Sequence, residues 1–200
     1  MTANRWFGQT MLALIALVAG PGPALATPIL SVSPSSQSVL LGDSFSLDIN
    51  IGGVTDLYGF NFDLSFGPTP LRLNAVSMTE GAFLPTGGTT AFFPGTIDNV
   101  AGQILAITDS LIAAIPEVSG SGRLARVNFM AVALGTADIS ISNILLLDSN
   151  LDLITFDAPR GGTVTVTAVP EPGSLLLLTS GAIGLLRRKK PTGPSGTEVG

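Results

Sequence analysis

Two stretches of the sequence alternate strictly between apolar and polar residues, and this alternation constrains the fold more than any other feature. In residues 45–51, Phe, Leu and two Ile residues alternate with Ser, Asp and Asn, and in residues 58–66 five large apolar residues alternate with small or polar ones. Successive side chains of a β-strand point to opposite faces of its sheet. The alternation therefore predicts strands with one face in a core and the other in water.

Further strand candidates are separated by Gly, Pro, Asn and Asp, which are typical of turns and predict turns at Gly52-Gly53 and at residues 119–122, among others. Gly59 interrupts the second alternating stretch and indicates a bend or a close approach of another strand. About nine short strands with no long helical pattern predict an all-β fold of two packed antiparallel sheets, a jelly-roll type of sandwich. Besides the two alternating stretches, the predicted strands are residues 29–32, 38–41, 71–78, 103–108, 124–133, 138–147 and 163–168.

The charges are unevenly distributed along the chain. Residues 27–170 contain four Arg, no Lys and twelve acidic residues, so this region has a net charge of −8. An acidic surface repels nucleic acid, and we expect no nucleic-acid partner.

The residue types needed for common catalytic sites are missing. The chain contains no His and no Cys, which excludes a Ser-His-Asp triad, a thiolate nucleophile and a zinc–sulfur site. The acids that could act as paired carboxylates are mostly isolated on polar strand faces. We therefore expect no enzymatic activity, no catalytic residue and no cofactor.

The N-terminus has the order of a secretion signal. Arg5 provides a positive start, residues 11–19 are apolar, and Ala24 and Ala26 form a small-x-small cleavage pattern. The alternative is a buried N-terminal helix, which the following Pro-Gly-Pro disfavours. We predict a signal peptide at residues 1–26 and a mature domain that begins at Thr27.

The C-terminus consists of a proline-containing motif, an apolar segment and a basic cluster. Residues 173–186 are uncharged, and as a helix they reach only about 21 Å, against about 30 Å for a hydrocarbon core. The basic cluster behind them fits the positive-inside bias, so we expect a short transmembrane helix in the cytoplasmic membrane. The motif is Pro170, Glu171 and Pro172, and the cluster is Arg187, Arg188, Lys189 and Lys190.

This tripartite end, residues 169–190, resembles the PEP-CTERM sorting signal. The resemblance implies recognition and cleavage by an exosortase in a Gram-negative bacterium, followed by passage to the cell surface or the extracellular matrix. Residues 191–200 continue beyond the basic cluster, which is a departure from the family, and they are predicted to be a disordered tail. The alternative is a plain anchor that is never cleaved.

Residues 27–168 resemble cohesins and the related carbohydrate-binding sandwiches. The resemblance rests on the strand entry at residues 41–45, on residues 54–66 and 122–129, and on residues 135–150. Gly67 and Pro68 depart from the family, whose members often have Asp before this proline. The resemblance implies a binding or adhesion module. The alternatives are a polysaccharide-binding module and a scaffold module that receives a dockerin-bearing partner.

Two loops are candidates for ligand contact. Asp148, Asn150 and Asp152 have the alternate spacing of a calcium loop, but Leu153 and Pro159 break the twelve-residue pattern, so a polar turn is favoured and no metal site is predicted. Phe92 and Phe93 lie in a Gly- and Pro-rich loop and are possible ligand contacts. Their alternative role is to plug the end of the sandwich.

The function favoured by the sequence is adhesion to an exopolysaccharide or to a surface protein.

Overall fold

The computed structural model describes residues 27–67, 72–113 and 117–170, and these residues form a two-sheet β-sandwich. No α-helix occurs in these three ranges, which contain one 3-10 turn at Leu84–Gly87. The strands are β1 Ile29–Ser33, β2 Ser36–Leu40, β3 Ser44–Leu57, β4 Gly59–Ser65, β5 Leu73–Glu80, β6 Thr96–Asp98, β7 Gln103–Ser110, β8 Val118–Ala131, β9 Gly135–Leu147, β10 Asp157–Arg160 and β11 Gly162–Thr167.

In each sheet, one strand from the beginning of the domain pairs with one strand from its end. The five-stranded sheet has the order β10-β1-β3-β8-β5, and the six-stranded sheet has the order β2-β11-β9-β4-β7-β6. β1 runs parallel to β10, and β2 runs parallel to β11. The expectation of two antiparallel sheets is therefore wrong at these two pairs. The cause is topological, because β1 and β10 run in the same direction in one sheet, and β2 and β11 run in the same direction in the other.

The core lies between the two sheets and is formed by the apolar faces of the alternating strands. Phe60, Phe62, Leu64 and Phe66 are all buried. The ring of Phe129 on β8 stacks on Phe45 at 5.6 Å and meets Phe66 edge-on at 5.3 Å between centroids. The period-two prediction is confirmed in both stretches, because Leu47, Ile49 and Ile51 on β3 are also buried.

Two segments that were predicted as turns pair with one another instead. β3 continues through Gly52 and Gly53, and β8 begins before residues 119–122. Ile51 pairs with Gly122 and Val54 pairs with Gly120, with shifts of register between them. A Cβ atom on Gly122 would lie 2.6 Å from the Phe83 ring, so a glycine here lets that ring pack on the strand. Glycine therefore marks bulged strands here, not turns.

Two short strands, β6 and β10, are not predicted from the sequence because they lack a clear alternation.

The predicted signal peptide, with Ala24 and Ala26, lies outside the described residues, as do Glu171, Pro172 and the predicted transmembrane helix. Arg187, Arg188, Lys189 and Lys190 also lie outside them. In the part of the chain that the structure describes, no helix has the length and apolarity needed to span a bilayer.

Candidate binding face

The outer face of the sheet formed by β9, β4, β7 and β6 is organised around Asp63. One carboxylate oxygen of Asp63 accepts a hydrogen bond of 2.7 Å from the backbone N–H of Ala106 on β7. The other accepts a hydrogen bond of 2.5 Å from the side-chain amide of Asn143 on β9. Asp63 thus connects both strands that flank β4.

Both partners of Asp63 have left-handed backbone conformations. φ is +58° at Ala106 and +50° at Asn143, and the register of β4 with each neighbouring strand shifts beside Asp63. These are β-bulges, which re-aim side chains and increase the local twist. Because a left-handed Ala is unfavourable, the hydrogen bonds that Asp63 accepts hold a strained arrangement in place.

The bulge on β7 changes what this face presents. Leu105 and Ala106 are both exposed, although they are consecutive residues of one strand. The amide of Asn61 donates a hydrogen bond of 2.6 Å to the Thr108 hydroxyl on the next strand. The face therefore combines an apolar side chain with polar groups that are already hydrogen-bonded within the sheet.

Beside this bulge lies an open cleft of about 400 Å³. The segment that forms one wall is bonded to β7, because Phe93 and Thr108 exchange two backbone hydrogen bonds of 2.8 and 3.1 Å. Gly95 has φ +76°, and a Cβ atom there would lie 2.5 Å from the Leu105 carbonyl oxygen. Only glycine, which has no Cβ atom, lets the wall approach β7 this closely. The lining residues are Phe93, Pro94, Gly95, Thr96, Ala106 and Thr108.

The structure separates the two phenylalanines that the sequence places together. The side chain of Phe93 is 63% exposed and lines the cleft. Phe92 is partly buried and packs against the core. Ligand contact remains a prediction for both residues, and only Phe93 has a position from which a ligand is reached directly.

Asp109, which follows the cleft residue Thr108 on β7, is a buried carboxyl group. Asp109 on β7 is 1% exposed, and neither of its carboxylate oxygens has a hydrogen-bond donor in the structure. Burial, together with the nearby charge of Glu80 on β5, raises the pKa of Asp109 to about 7. The Thr90 hydroxyl donates a hydrogen bond to Glu80, which attaches the segment before Phe93 to the opposite sheet.

The burial of Asp109 is an exception to the expectation that the acids lie on polar strand faces. A signal was present in the sequence, because Ile107, Asp109 and Leu111 are spaced two apart and therefore share one face of a strand. Ile107 and Leu111 are buried as that spacing indicates.

The other sheet presents an ion pair on its outer face. Arg126 on β8 donates two hydrogen bonds, of 2.6 and 2.9 Å, to the two carboxylate oxygens of Asp48 on β3. This bidentate contact, with a contribution from Arg123, lowers the pKa of Asp48 despite partial burial.

The loop that was weighed as a calcium site is held by internal hydrogen bonds. One oxygen of Asp148 accepts hydrogen bonds of 2.8 Å from the N–H groups of Asn150 and Asp152. Asp56 accepts hydrogen bonds from the backbone N–H and the hydroxyl of Ser149. Across residues 27–67, 72–113 and 117–170, no three His, Cys, Asp or Glu side chains are grouped as metal ligands would be.

Several solved structures that resemble this sandwich are cohesins. A non-cellulosomal cohesin from the hyperthermophilic archaeon Archaeoglobus fulgidus superposes with a TM-score of 0.57 at 16% identity, over 71% of this chain and 92% of its own. A type I cohesin–dockerin complex from Clostridium thermocellum gives 0.58 at 12% identity, over 71% and 100%. The sixth cohesin of scaffoldin B from Acetivibrio cellulolyticus, in complex with a dockerin, gives 0.55 at 20% identity, over 71% and 100%.

At these identities the likeness establishes the fold, and the domain is a cohesin-like β-sandwich. The model of the PEP-CTERM protein-sorting motif matches residues 168–190. A search of curated proteins finds no match to the chain. The chain therefore combines a cohesin-like domain with a C-terminal PEP-CTERM sorting motif.

Proposed function

We propose that this chain is an exported, non-catalytic adhesion protein whose cohesin-like domain binds a surface-protein partner through the face around Asp63 and Phe93. An exosortase-type enzyme recognises the C-terminal motif while the apolar tail holds the chain in the cytoplasmic membrane of a Gram-negative cell. The mature domain then reaches the cell surface or the extracellular matrix.

The observation that carries the binding role is the exposure of Phe93 on a wall that is hydrogen-bonded to β7. A large exposed aromatic ring beside a cleft gives contact area at a small cost in conformational entropy. The neighbouring bulges are held by Asp63, so the face is ordered before a partner arrives. Two of the similar structures are cohesins in complex with dockerins, which makes a dockerin-bearing protein one class of partner to test.

A polysaccharide is the second candidate ligand. The observation that favours it is the position of Phe93 beside the hydroxyl-bearing residues Thr96 and Thr108 in one open cleft. An aromatic ring stacks on the apolar face of a sugar, and neighbouring hydroxyl groups bond to its hydroxyls.

Binding is tested with wild-type protein and the Phe93→Ala variant against three ligand sets. These are surface proteins from a producing strain, a panel of dockerins, and purified exopolysaccharides. We expect saturable binding to one protein partner that falls about tenfold or more in Phe93→Ala, the loss of one well-placed anchor. Val76→Ala, which removes an exposed apolar side chain from β5 in the other sheet, is the matched control and should bind normally. Binding that Phe93→Ala leaves unchanged would exclude this face.

Sorting is tested by comparing intact masses of membrane-bound and released protein in strains with and without an exosortase. We expect the released form to lack the basic cluster and to disappear when the exosortase is deleted. Replacement of Pro170, Glu171 and Pro172 by Ala should have the same effect as the deletion. A released form with the mass of the full tail would show that the motif is not cleaved.

A further inference from the structure

One end of the sandwich surrounds the point at which the chain leaves the domain. β11 ends at Thr167, which pairs with Leu40, and the Leu41 N–H donates a hydrogen bond of 2.9 Å to the Thr167 carbonyl oxygen. On the other side of β11, Val166 pairs with Gly135, so the turn before β9 also lies beside the exit. We call these two turns and the residues after Thr167 the exit end.

The exit end carries a group of exposed apolar side chains. They project from three chain segments that the hydrogen bonds described above bring together. Each is between 36% and 57% exposed, and they are Leu40, Leu41, Val132, Leu134 and Val169.

The charge at this end is low for so acidic a domain. Asp43, Asp98 and Arg72 lie in or beside the turns at this end, counting the neighbouring turns that follow β4 and β6, and Glu171 follows in the chain that leaves the domain, so the net charge is −2. Asp43 accepts a hydrogen bond from the Leu40 N–H, and Asp98 accepts hydrogen bonds from the N–H groups of Val100 and Ala101. The connections at the opposite end carry three acids and no base, namely Glu117, Asp148 and Asp152, and a fourth acid, Asp56 near the end of β3, lies beside them.

The chain between the domain and the apolar tail is short. Ala168 is the first residue after the sheet, and the uncharged segment begins at Gly173. Five fully extended residue steps reach at most about 18 Å. A domain attached by so short a connection cannot move far from the bilayer while the tail is inserted, and its exit end is the part nearest to the lipid.

We propose that the exit end rests on the lipid headgroups of the cytoplasmic membrane while the tail is inserted, with Leu41, Val132 and Leu134 at the interface. This proposal rests on the membrane-bound stage of the proposed function. The tether keeps the exit end at a high local concentration relative to the bilayer, so weak apolar contacts are sufficient for docking. The opposite end, with its four acids, faces away from the membrane.

The contact is measured with single-tryptophan variants of the predicted mature chain, residues 27–200. Trp6, the only tryptophan in the sequence, lies in the predicted signal peptide, so the mature chain has no tryptophan emission of its own. Leu134→Trp places a probe at the exit end, and Leu151→Trp places a matched probe on an exposed Leu at the opposite end. Each variant is reconstituted into phosphatidylethanolamine–phosphatidylglycerol vesicles, with and without phosphatidylcholine brominated near its glycerol backbone.

We expect brominated lipid to reduce the emission of the Leu134→Trp variant about twofold, because interfacial groups lie within about 5–10 Å of the headgroup boundary. The Leu151→Trp variant should keep its emission. Val132→Trp serves as a second exit-end probe if Leu134→Trp lowers the melting temperature.

Flotation of the vesicles separates this proposal from the proposed function. If the chain floats with the vesicles but bromine quenches neither probe, or both equally, docking of the exit end is refuted and the membrane-bound stage stands. If the chain does not float, the membrane-bound stage fails and docking falls with it. A blue-shifted Leu134→Trp emission that depends on protein concentration and not on bromine would show contact with a second copy, and would also refute docking on lipid.

Discussion

The carboxylate of Asp63 accepts a hydrogen bond of 2.7 Å from the backbone N–H of Ala106, a residue with φ of +58°. A side chain on the central strand thus holds a left-handed residue on its neighbour. The same carboxylate holds Asn143 on the other side, so one residue determines the shape of three strands at the binding face.

Replacement of Asp63 by Ala should lower both stability and partner binding. Two hydrogen bonds to the carboxylate are lost and two bulges lose their support, so we expect about 1–3 kcal/mol of destabilisation. Chemical denaturation and the binding assay measure the two effects. Asp138→Ala is the control, because Asp138 is an exposed aspartate on β9 of the same sheet, and it should change stability by less than about 0.5 kcal/mol. Equal effects of the two substitutions would contradict the role of Asp63.

Asp109 makes the stability of the domain depend on pH. Its pKa rises from 3.8 to about 7 on folding, so the folded state binds the proton more tightly than the unfolded state. The contribution of protonated Asp109 to stability is largest below about pH 4, falls as the pH rises to about 7 and is then constant, with a total loss on the order of a few kcal/mol. The melting temperature should fall accordingly between pH 5 and pH 8.

Asp109→Asn should remove most of this pH dependence. The amide has nearly the same shape but does not titrate, so it contributes no difference in bound protons between the folded and unfolded states. Melting curves at several pH values provide the measurement, and the variant should be the more stable protein at pH 8. A wild-type profile that is flat between pH 5 and pH 8 would contradict the buried-carboxyl interpretation.

Phe92 and Phe93 should respond in opposite ways to truncation. Phe92 packs on the core, so Phe92→Ala leaves a cavity and should cost about 1–3 kcal/mol, less than a fully buried Phe. Phe93 is mostly exposed, and Phe93→Ala should change stability by less than about 0.5 kcal/mol while weakening partner binding. Denaturation of both variants under one condition is the measurement, and equal losses of stability would show that Phe93 is also structural.

Gly81 should not tolerate a side chain. A Cβ atom there would lie 1.9 Å from the Arg123 carbonyl oxygen, and this oxygen belongs to the backbone of β8. Gly81→Ala should therefore destabilise the domain by about 2–3 kcal/mol or more, because the strand itself has to move. Gly52→Ala is the matched control, since the new Cβ atom there meets its nearest neighbour at 3.6 Å. Thermal melting of the two variants should separate them clearly.

The sequence was sufficient to predict the sandwich, because burial of one strand face produces a repeat of two that can be read directly. It was not sufficient to predict the strand lengths. Gly52, Gly53 and residues 119–122 have the composition of turns, and only their pairing with one another across β3 and β8 shows that they are bulged strands. That pairing depends on residues about seventy positions apart, which a local pattern does not contain.

For the candidate binding face, too, the sequence predicts what depends on neighbouring residues and does not predict what depends on strand pairing. The sequence pointed to Phe93 through its Gly- and Pro-rich surroundings, but it did not separate Phe93 from Phe92. The role of Asp63 was not predictable, because its alternating position equally suits an aspartate that faces only water. Its partners, Ala106 and Asn143, are defined by bulges whose positions follow from sheet pairing.

The parallel pairing of β11 with β2 determines how the domain responds to mechanical load. The tail continues directly from Thr167, so a pull on the tail acts along the axis of β11. β11 is bonded to β2 on one side and to β9 on the other, and both ladders run along the direction of that pull. The hydrogen bonds of both ladders are then strained in shear together and do not peel apart one at a time. We therefore expect a domain held by this tail to resist forces transmitted through its attachment point.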